Sequence, residues 1–260
     1  MDLGIAGRSC VVTGASRGIG LATARMLGEA GAEVLLVSRD QDDLDAALAC
    51  CPGSAAALSL DVTAPDAAER ILEASGGRIE ILVNNAGTAR RRELQDVPEA
   101  DWYAAFELNV MAPKRLIDAA LPAMVAAGWG RVVNVSSSAA KRPSPAMAEY
   151  SVAKAGQLSL SRVYADRYAG DGVLVNAICP GPTRTEMWTL PGGLAEQAGG
   201  SGEPERQQEV LASIGAKRPI GRVAEAEEIA GAIAFLCSER ASYVAGAAWS
   251  VDGGSVPVII

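Results

Sequence analysis

Short runs of apolar and β-branched residues alternate along the chain with longer segments whose apolar positions repeat at helical spacing. The short runs predict strands at residues 9–13, 33–38, 56–60, 79–84, 130–136, 173–179 and 247–251. The longer segments predict helices at residues 18–30, 41–50, 64–75, 99–127, 149–169 and 224–237. Because runs such as Val34-Leu35-Leu36-Val37 are apolar at every position, helices should cover both faces of the sheet. The alternation therefore predicts a doubly wound α/β fold, a three-layer sandwich around a parallel sheet.

The stretch from residue 184 to residue 222 interrupts this alternation, because residues such as Pro191, Gly192 and Pro204 break the periodic pattern. A long irregular stretch inside a compact domain is usually a lid or a disordered insertion. Its apolar residues fit either a lid with a binding face or a loop that packs against itself; they are Met187, Trp188, Leu190 and Leu194. No repeat or linker divides the chain, so we expect one domain over residues 1–260, with a substrate lid at residues 184–222.

Composition narrows the possible chemistry, because the chain contains no histidine. This excludes hydrolases with a Ser-His-Asp triad, Cys-His proteases and histidine-based zinc sites, and no metal site is expected. Acid–base catalysis must then come from Tyr, Lys, Asp, Glu or Cys.

Charge and cysteine content indicate the setting in which the protein works. The net charge of −8 should repel phosphate backbones, so we expect no nucleic-acid partner. The sequence has neither a long uninterrupted apolar run nor a signal-peptide pattern, so we expect no membrane association. Five cysteines without CxxC spacing are typical of reduced thiols, which favours the cytoplasm.

A glycine-rich segment connects the first predicted strand to the first predicted helix. Residues 13–20 read Thr-Gly-Ala-Ser-Arg-Gly-Ile-Gly, which places glycines at Gly14, Gly18 and Gly20. Glycines permit a tight turn and let a pyrophosphate approach the backbone N–H groups at the helix start. A strand before this turn and a helix after it are the context that a dinucleotide-binding site requires.

The end of the second predicted strand bears on which dinucleotide is bound. An acidic residue here would hold the ribose 2′-hydroxyl of NAD, whereas arginine would hold the 2′-phosphate of NADP. Ser38 occupies the strand end and Arg39 follows it, and Arg17 in the glycine turn could add a second positive charge. These residues favour NADP(H), although Asp40 would favour NAD(H) if it faced the ribose instead of Arg39.

A tyrosine and a lysine four residues apart, Tyr150 and Lys154, share one face of a predicted helix. A nearby ammonium stabilises a phenolate, so the pair could perform acid–base catalysis near neutral pH. Ser137 follows a predicted strand at the carboxyl edge of the sheet, where ligands gather. Its hydroxyl could bind a carbonyl oxygen that gains negative charge during reduction.

Together these motifs resemble the classical short-chain dehydrogenases/reductases, in the branch of 3-oxoacyl-acyl-carrier-protein reductases and carbonyl reductases. The resemblance covers nearly the whole chain and is carried by residues 13–20, Asp61, Val62, 84–87, Asn109, Ser137, Tyr150, Lys154, Asn176 and 180–185. It implies a Rossmann-like fold with a seven-stranded parallel sheet. It also implies an oxidoreductase that transfers a hydride, on the B face, between NADP(H) and a carbonyl or secondary alcohol substrate.

The resemblance implies a role for each of four catalytic residues. Tyr150 would be the acid/base, and Lys154 would hold the nicotinamide ribose while lowering the pKa of Tyr150. Ser137 would position the carbonyl, with Ser138 as the alternative if the register shifts by one. Asn109 would anchor a water relay behind Lys154.

The same resemblance implies the cofactor contacts, with Asp61 and Val62 at the adenine and Thr185 at the nicotinamide amide. The full set is Gly14, Ser16, Arg17, Gly18, Ile19, Gly20, Arg39, Asp61, Val62, Asn85, Ala86, Gly87, Tyr150, Lys154, Pro180, Gly181, Thr183 and Thr185. A homo-oligomer, commonly a tetramer, is also implied. The apolar tail at residues 256–260 should then lie in a subunit interface or against its own core.

Two other functions fit parts of the sequence. One is an NAD-dependent alcohol, sugar or sterol dehydrogenase on the same fold, and the other is a non-catalytic dinucleotide-binding sensor. The intact set of catalytic residues speaks against the sensor. Cations at residues 90–92, Lys141 and Arg142 could bind an anionic substrate or could be solvated loop charges.

Overall fold

The computed structural model of the chain describes residues 2–199 and 203–257. Its strands are β1 (Ser9–Thr13), β2 (Glu33–Ser38), β3 (Ala55–Ser59), β4 (Ile81–Asn84), β5 (Gly130–Val135), β6 (Val173–Pro180), β7 (Thr183–Arg184), β8 (Ala224–Glu225) and β9 (Ala248–Val251). Its α-helices are α1 (Gly18–Glu29), α2 (Gln41–Ala49), α3 (Ala67–Ala74), α4 (Glu99–Phe106), α5 (Ala112–Ala127), α6 (Ser138–Lys141), α7 (Ala148–Tyr168), α8 (Glu186–Thr189), α9 (Leu194–Gln197), α10 (Pro204–Ala216) and α11 (Ala226–Cys237). None of the helices described is long and apolar enough to span a membrane.

Seven of the strands form one parallel sheet in the order β3-β2-β1-β4-β5-β6-β9. The sheet confirms the predicted doubly wound, Rossmann-like fold, and every predicted strand is present with its ends within two residues of the predicted ones. Strand order reverses between β1 and β4, because the chain adds β2 and β3 on one side and β4, β5, β6 and β9 on the other. Ligands of such sheets bind in the crevice beyond the carboxyl ends of the strands at this point.

Alternating side chains of the strands divide the core into two layers, one on each face of the sheet. On β1, Cys10 and Val12 pack with residues of α1, α2 and α11, whereas Val11 packs with residues of α3, α5 and α7. On β2, Val34 and Leu36 face the first layer, and the two residues that alternate with them face the second. This period of two explains why the strands read as continuously apolar: both of their faces are covered.

The single helix predicted over residues 99–127 is divided into α4 and α5 by a π-helical turn at Glu107–Met111. Pro113 follows this turn and has no N–H, so it cannot donate to a carbonyl of the preceding turn. Inside the π-helical turn lies the buried Asn109, whose Nδ2 donates to the Ala105 carbonyl at 2.8 Å. The prediction of one regular helix is therefore wrong at the position of a predicted catalytic residue. Wide turns of this kind are frequent at functional sites.

The segment 184–222 contains more regular structure than its glycines and prolines predict. It includes α8, α9 and the 13-residue α10, which begins with Pro204 in its first turn. Proline is favoured in the first turn, where its missing N–H would have no helical partner, so here it starts a helix. Thr183 and Arg184 pair with Ala224 and Glu225 in a two-stranded ladder that ties both ends of the segment together.

We predict that Gly20→Ala lowers the free energy of unfolding by about 1–3 kcal/mol. A Cβ at Gly20 would lie 2.1 Å from the Gly14 carbonyl oxygen, so α1 and the glycine turn would have to separate. Gly231→Ala is the matched control, because a Cβ there meets no atom within 4 Å and the residue lies inside α11. That change should raise stability by about 0.5–1 kcal/mol through helix propensity. Urea denaturation measures both, and equal effects would contradict the prediction.

Candidate active site

Beyond the carboxyl ends of the central strands lies a cleft of about 650 Å³, with a smaller cavity of about 170 Å³ adjoining it. The larger part is lined by predicted cofactor contacts: Gly14, Ser16, Arg17, Gly18, Ile19, Arg39, Asp61, Val62, Asn85, Ala86, Gly87, Tyr150 and Thr185. The smaller part is lined by Ser137, Tyr150, Lys154, Pro180, Gly181, Thr183 and Thr185. Of the predicted site residues, only Gly20 and Asn109 line neither part. The fold thus gathers a set of residues that the sequence spreads over more than 170 positions.

The glycine turn is joined to the end of β4 by a set of hydrogen bonds. Asn85 Nδ2 donates to the carbonyls of Thr13 and Gly14 at 3.0 and 3.1 Å. The backbone N–H groups of Asn85 and Ala86 both donate to the Thr13 hydroxyl, at 3.0 and 3.1 Å. Gly14 has φ +64°, and a Cβ there would lie 2.9 Å from the Ala86 Cα. The turn can therefore approach β4 this closely only with glycine at this position.

Gly20 was predicted to contact the cofactor, but it stands behind the cleft wall. It packs against the Gly14 carbonyl and lets α1 begin directly beneath the turn. Its contribution is the close packing of helix against turn, which places the start of α1, with Gly18 and Ile19, in the cleft wall.

The residues that follow β2 divide between the cleft and helix α2. Ser38 and Arg39 line the cleft, and the hydroxyls of Ser16 and Ser38 are 3.0 Å apart. Asp40 is instead the N-cap of α2, where its Oδ1 accepts the Asp43 N–H at 2.9 Å. Within the described chain, Arg39 forms no ion pair, whereas Arg17 Nη2 pairs with Asp43 Oδ2 at 2.7 Å. Arg39 is therefore a cation of the cleft wall without an ion pair in the described chain, and the carboxylate that could have competed with it, Asp40, caps α2.

Asp61 lines the same cleft as Arg39. Its Oδ1 accepts the backbone N–H of Thr63 at 2.9 Å and the Thr63 hydroxyl at 2.7 Å. These bonds, with a smaller contribution from the Arg39 charge, lower the pKa of the Asp61 carboxyl. Asp61 is thus a fixed anion.

Lys154 lies in the second turn of α7 and is only 2% exposed. Its Nζ donates to the Val135 carbonyl at the end of β5 at 2.7 Å and to Gln157 Oε1 at 3.2 Å. Loss of hydration lowers its pKa to about 7. The amine can therefore gain or lose its proton near neutral pH.

Tyr150 lies one turn before Lys154, with its ring centroid 5.8 Å from Lys154 Nζ. Burial raises the pKa of its phenol, and a hydrogen-bonding interaction with Ser137 acts in the opposite direction. Burial is thus the largest effect on the pKa of the phenol, and the lowering expected from the neighbouring lysine stays a prediction. At neutral pH the phenol holds its proton and can donate it.

The three consecutive serines after β5 have separate positions. The Ser136 hydroxyl donates to the Lys154 backbone carbonyl at 2.9 Å, which ties β5 to α7. Ser137 is the N-cap of α6, where its Oγ accepts the Ala139 N–H at 3.0 Å, and its own proton can be donated to a ligand. Ser138 begins α6 and also lines the smaller cavity. The interaction of Ser137 with Tyr150 supports Ser137 as the serine that acts with the phenol.

Asn109 approaches the site from behind Lys154. Its Oδ1 is buried without a hydrogen-bond partner in the structure. This oxygen and Lys154 Nζ each lie 3.6 Å from the point that a Cβ on Gly87 would occupy. The absent side chain of Gly87 therefore leaves a small polar space between them. Asn84 and Asn176 hold neighbouring segments together, since Asn84 bonds Asn134, and Asn176 bonds the chain at Val244 and Ala247.

Most of the cations considered for an anionic substrate are engaged elsewhere. Lys141 Nζ donates to the Ala248 carbonyl at 2.6 Å and to Ser250 at 3.0 Å, both on β9. Arg92 pairs with Asp101, and Arg142 Nη1 reaches the Ser255 carbonyl. Arg90 is the member of this group that lines the cleft.

Two buried polar side chains beside the catalytic pair were missed by the sequence analysis. Glu149 lies in the first turn of α7 and lines the larger cleft, with its Oε2 buried and unpartnered in the described structure. Gln157 lies one turn beyond Lys154. A polar residue three positions after Lys154 on one helix face is the signal that could have identified Gln157.

Known proteins match this chain over nearly its full length. A profile of the family described as "Enoyl-(Acyl carrier protein) reductase" matches residues 14–255. The cis-4-hydroxycyclohexanecarboxylate dehydrogenase of Sinomonas cyclohexanicum is 39% identical over 99% of this chain and 100% of its own length. The chain belongs to the classical short-chain dehydrogenases/reductases.

Other members of this short-chain dehydrogenase/reductase family have the same extent and fold. The 3-oxoacyl-[acyl-carrier-protein] reductase of Escherichia coli strain K12 is 34% identical over 95% of this chain and 97% of its own. The crystal structure of L-sorbose reductase from Gluconobacter frateurii, complexed with NADPH and L-sorbose, superimposes with a TM-score of 0.92. It is 34% identical and covers 100% of both chains. As a member of this family, the chain is an oxidoreductase.

Proposed function

We propose that this short-chain dehydrogenase/reductase transfers a hydride between NADP(H) and the carbonyl or secondary alcohol of a small molecule. The observation that carries the proposal is the meeting of Ser137, Tyr150 and Lys154 in the walls of one cavity beside the glycine turn. A non-catalytic sensor would have no need of a protonated phenol and a serine hydroxyl at this point.

The residues of the cleft fit a nicotinamide dinucleotide. The glycine turn packs directly against the chain after β4 and lines the cleft with Gly14 and Gly18, and the start of α1 favours an anion. Gly181 lines the smaller cavity and packs against the Asp252 backbone, which a Cβ at this position would approach to 2.8 Å. A nicotinamide dinucleotide, when bound, supplies or accepts the hydride.

The protein's own part in the reaction is proton transfer and orientation. In the reducing direction, Tyr150 donates its phenolic proton to the substrate carbonyl oxygen. The Ser137 hydroxyl donates a hydrogen bond to the same oxygen and stabilises its developing negative charge. Lys154 holds its ammonium beside the phenol and lines the same cavity, where its third N–H can donate to a ribose hydroxyl.

The preference for NADP(H) over NAD(H) rests on the residues after β2. Arg39 lies on the cleft wall without an ion-pair partner in the described chain, and a guanidinium suits a 2′-phosphate. Asp40, the residue that would favour NAD(H), is occupied as the cap of α2. The complex of L-sorbose reductase with NADPH supports the same choice.

The smaller cavity favours a compact substrate without a charge near the reacting carbon. Its volume is about 170 Å³, and because Pro180, Gly181 and Thr185 of its lining are assigned to the cofactor, the substrate shares this space with the nicotinamide. Met147, Trp188 and Leu194 contribute apolar surface, and Lys154 is its one charged lining residue in the described chain. A compact cyclic alcohol or ketone suits the apolar part of this lining, and a hydroxycyclohexanecarboxylate is the substrate in the name of the Sinomonas relative.

We also propose that the protein works in the cytoplasm as a homo-oligomer, with four copies as the expected number. Its five free cysteines suit a reducing compartment. Helix α4 packs on α7, and together they expose Tyr103, Phe106, Val152 and Val163 to solvent. Of the tail, Val256 is buried, whereas residues 258–260 lie outside the described residues.

Tyr150→Phe should reduce kcat for carbonyl reduction by about 100- to 10,000-fold, because the variant lacks the proton donor. NADPH oxidation is followed with a panel of cyclic ketones, and NADPH binding should remain. Tyr243→Phe, at a fully exposed position, is the matched control and should retain activity. A fully active Tyr150→Phe would sink the proposed function, and an inactive parent that binds NADPH would favour a sensor.

Arg39→Ala should weaken NADPH binding by about 10- to 100-fold and leave NADH binding nearly unchanged, since only NADPH loses a charged hydrogen bond. Asp40→Ala should leave the preference between the two unaltered but lower the free energy of unfolding by about 1 kcal/mol through loss of the cap. Fluorescence titration and urea denaturation measure these effects. An unchanged NADPH affinity in Arg39→Ala speaks against the assigned role.

Light scattering should give the mass of four copies, and Val163→Glu should reduce it, because a charge would enter the apolar surface of α4 and α7. Leu94→Glu changes a similarly exposed residue outside these two helices and should leave the mass unchanged. A monomeric parent protein contradicts the proposal.

A further inference from the structure

Gln157 is a fully buried polar residue directly beside the predicted catalytic lysine. It lies on α7 three residues after Lys154 and has 0% exposure. A residue at this position packs between the helix and the sheet, where an apolar side chain would be the ordinary choice. Burying an amide here is unfavourable unless its polar atoms find partners.

The amide has one side-chain partner within the described chain, and that partner is the Lys154 amine. Gln157 Oε1 accepts the hydrogen bond from Lys154 Nζ at 3.2 Å. An ammonium can only donate, so the amide must turn its oxygen toward Lys154 and its Nε2 away. The Nε2 is then buried with no hydrogen-bond partner in the structure. The amide oxygen thus has Lys154 as its hydrogen-bond partner, whereas the amide nitrogen has none in the described chain.

The polar network around Gln157 does not need its side chain. Asn84 Nδ2 donates to Asn134 Oδ1 at 2.8 Å, and Asn134 Nδ2 donates to the Ser161 hydroxyl at 2.8 Å. Ser161 in turn donates to the backbone carbonyl of Gln157 at 2.7 Å. Any residue at position 157 would supply that carbonyl. The side chain is thus committed to Lys154 alone.

The groups that face the Lys154 amine leave Gln157 as an important support for its charge. On α7 the facing titratable group is the protonated phenol of Tyr150, and on β6 it is the thiol of Cys179. Burial raises the pKa of Cys179 to about 11, so the thiol is neutral at neutral pH. β5 contributes the Val135 carbonyl, the π-helical turn the Asn109 amide and the loop after β4 Gly87, all uncharged. No carboxylate in the described chain pairs with Lys154.

We propose that Gln157 is a positioning residue, whose side-chain oxygen holds the Lys154 amine in its charged form and in a fixed direction beside Tyr150. The inference rests on the proposed function for the role of Lys154 in the reaction. It adds the residue that keeps the Lys154 amine charged and correctly directed for that role.

The test is the titration of Lys154 in the protein without cofactor. The chain has four lysines, so ¹³Cε-labelled lysine gives a simple NMR spectrum, and Lys154→Met identifies the signal. In the parent, Lys154 should titrate near pH 7. Gln157→Met removes the oxygen at similar side-chain length and should lower the midpoint by about one pH unit. Gln157→Glu keeps the shape, adds a negative charge and should raise the midpoint by about one unit or more.

The pH profile of kcat/KM for NADPH-dependent reduction is the second readout. The alkaline limb, where Lys154 loses its proton, should move to lower pH in Gln157→Met and to higher pH in Gln157→Glu. Ser161→Ala disturbs the network one turn further along α7 without touching the Gln157 side chain, and should leave the Lys154 midpoint unchanged.

Each outcome has a separate meaning. An unmoved Lys154 midpoint in both Gln157 variants, or movement in the same direction, overturns the inference, since a role in packing alone would give either result. If Gln157→Met does not fold, the near-isosteric Gln157→Glu still decides the question by the sign of its shift. Full activity of Lys154→Met would refute the proposed role of the lysine, but the NMR midpoints would still test the contact with Gln157.

Discussion

The burial of the Lys154 amine is the constraint on which the rest of the site depends. A charged amine that is removed from water needs hydrogen-bond acceptors of the protein to replace the water molecules. Loops seldom keep such acceptors in fixed positions. Here the acceptors are the Val135 carbonyl at the end of β5 and Gln157 on α7. The bond from Ser136 to the Lys154 carbonyl ties the same strand to the same helix. The position of the amine is therefore set by regular elements on either side of it.

The same strands also explain how distant parts of the chain meet. Parallel pairing of β4 with β5 and of β5 with β6 brings the carboxyl ends of all three to one edge. Asn85, Ser137 and Gly181 each follow one of these ends, so they reach a common cleft. Thr13, at the end of β1, accepts hydrogen bonds from the chain after β4 and so joins these two strand ends beneath the glycine turn.

The fold and most of the lining residues follow from local patterns, because strand periodicity and glycine spacing depend on neighbouring residues. Three features do not. The π-helical turn at Asn109 results from competition between helix propensity and a proline further along. The role of Asp40 depends on whether its carboxylate reaches the Asp43 N–H or the cleft, which spacing cannot decide. The raised pKa of Tyr150 is set by burial, a property of the assembled molecule.

The two walls of the cleft are held by separate attachments. The dinucleotide-facing wall is built into the main sheet, whereas the segment carrying Met187, Trp188 and Leu194 is attached by the short β7–β8 ladder and by the bond from Arg91 N–H to Gln197. Substitutions in that segment can reshape the smaller cavity while the glycine turn and the lysine keep their places. Exchange of this one surface segment can therefore change the substrate that the protein accepts, while the fold and the residues proposed for proton transfer stay the same.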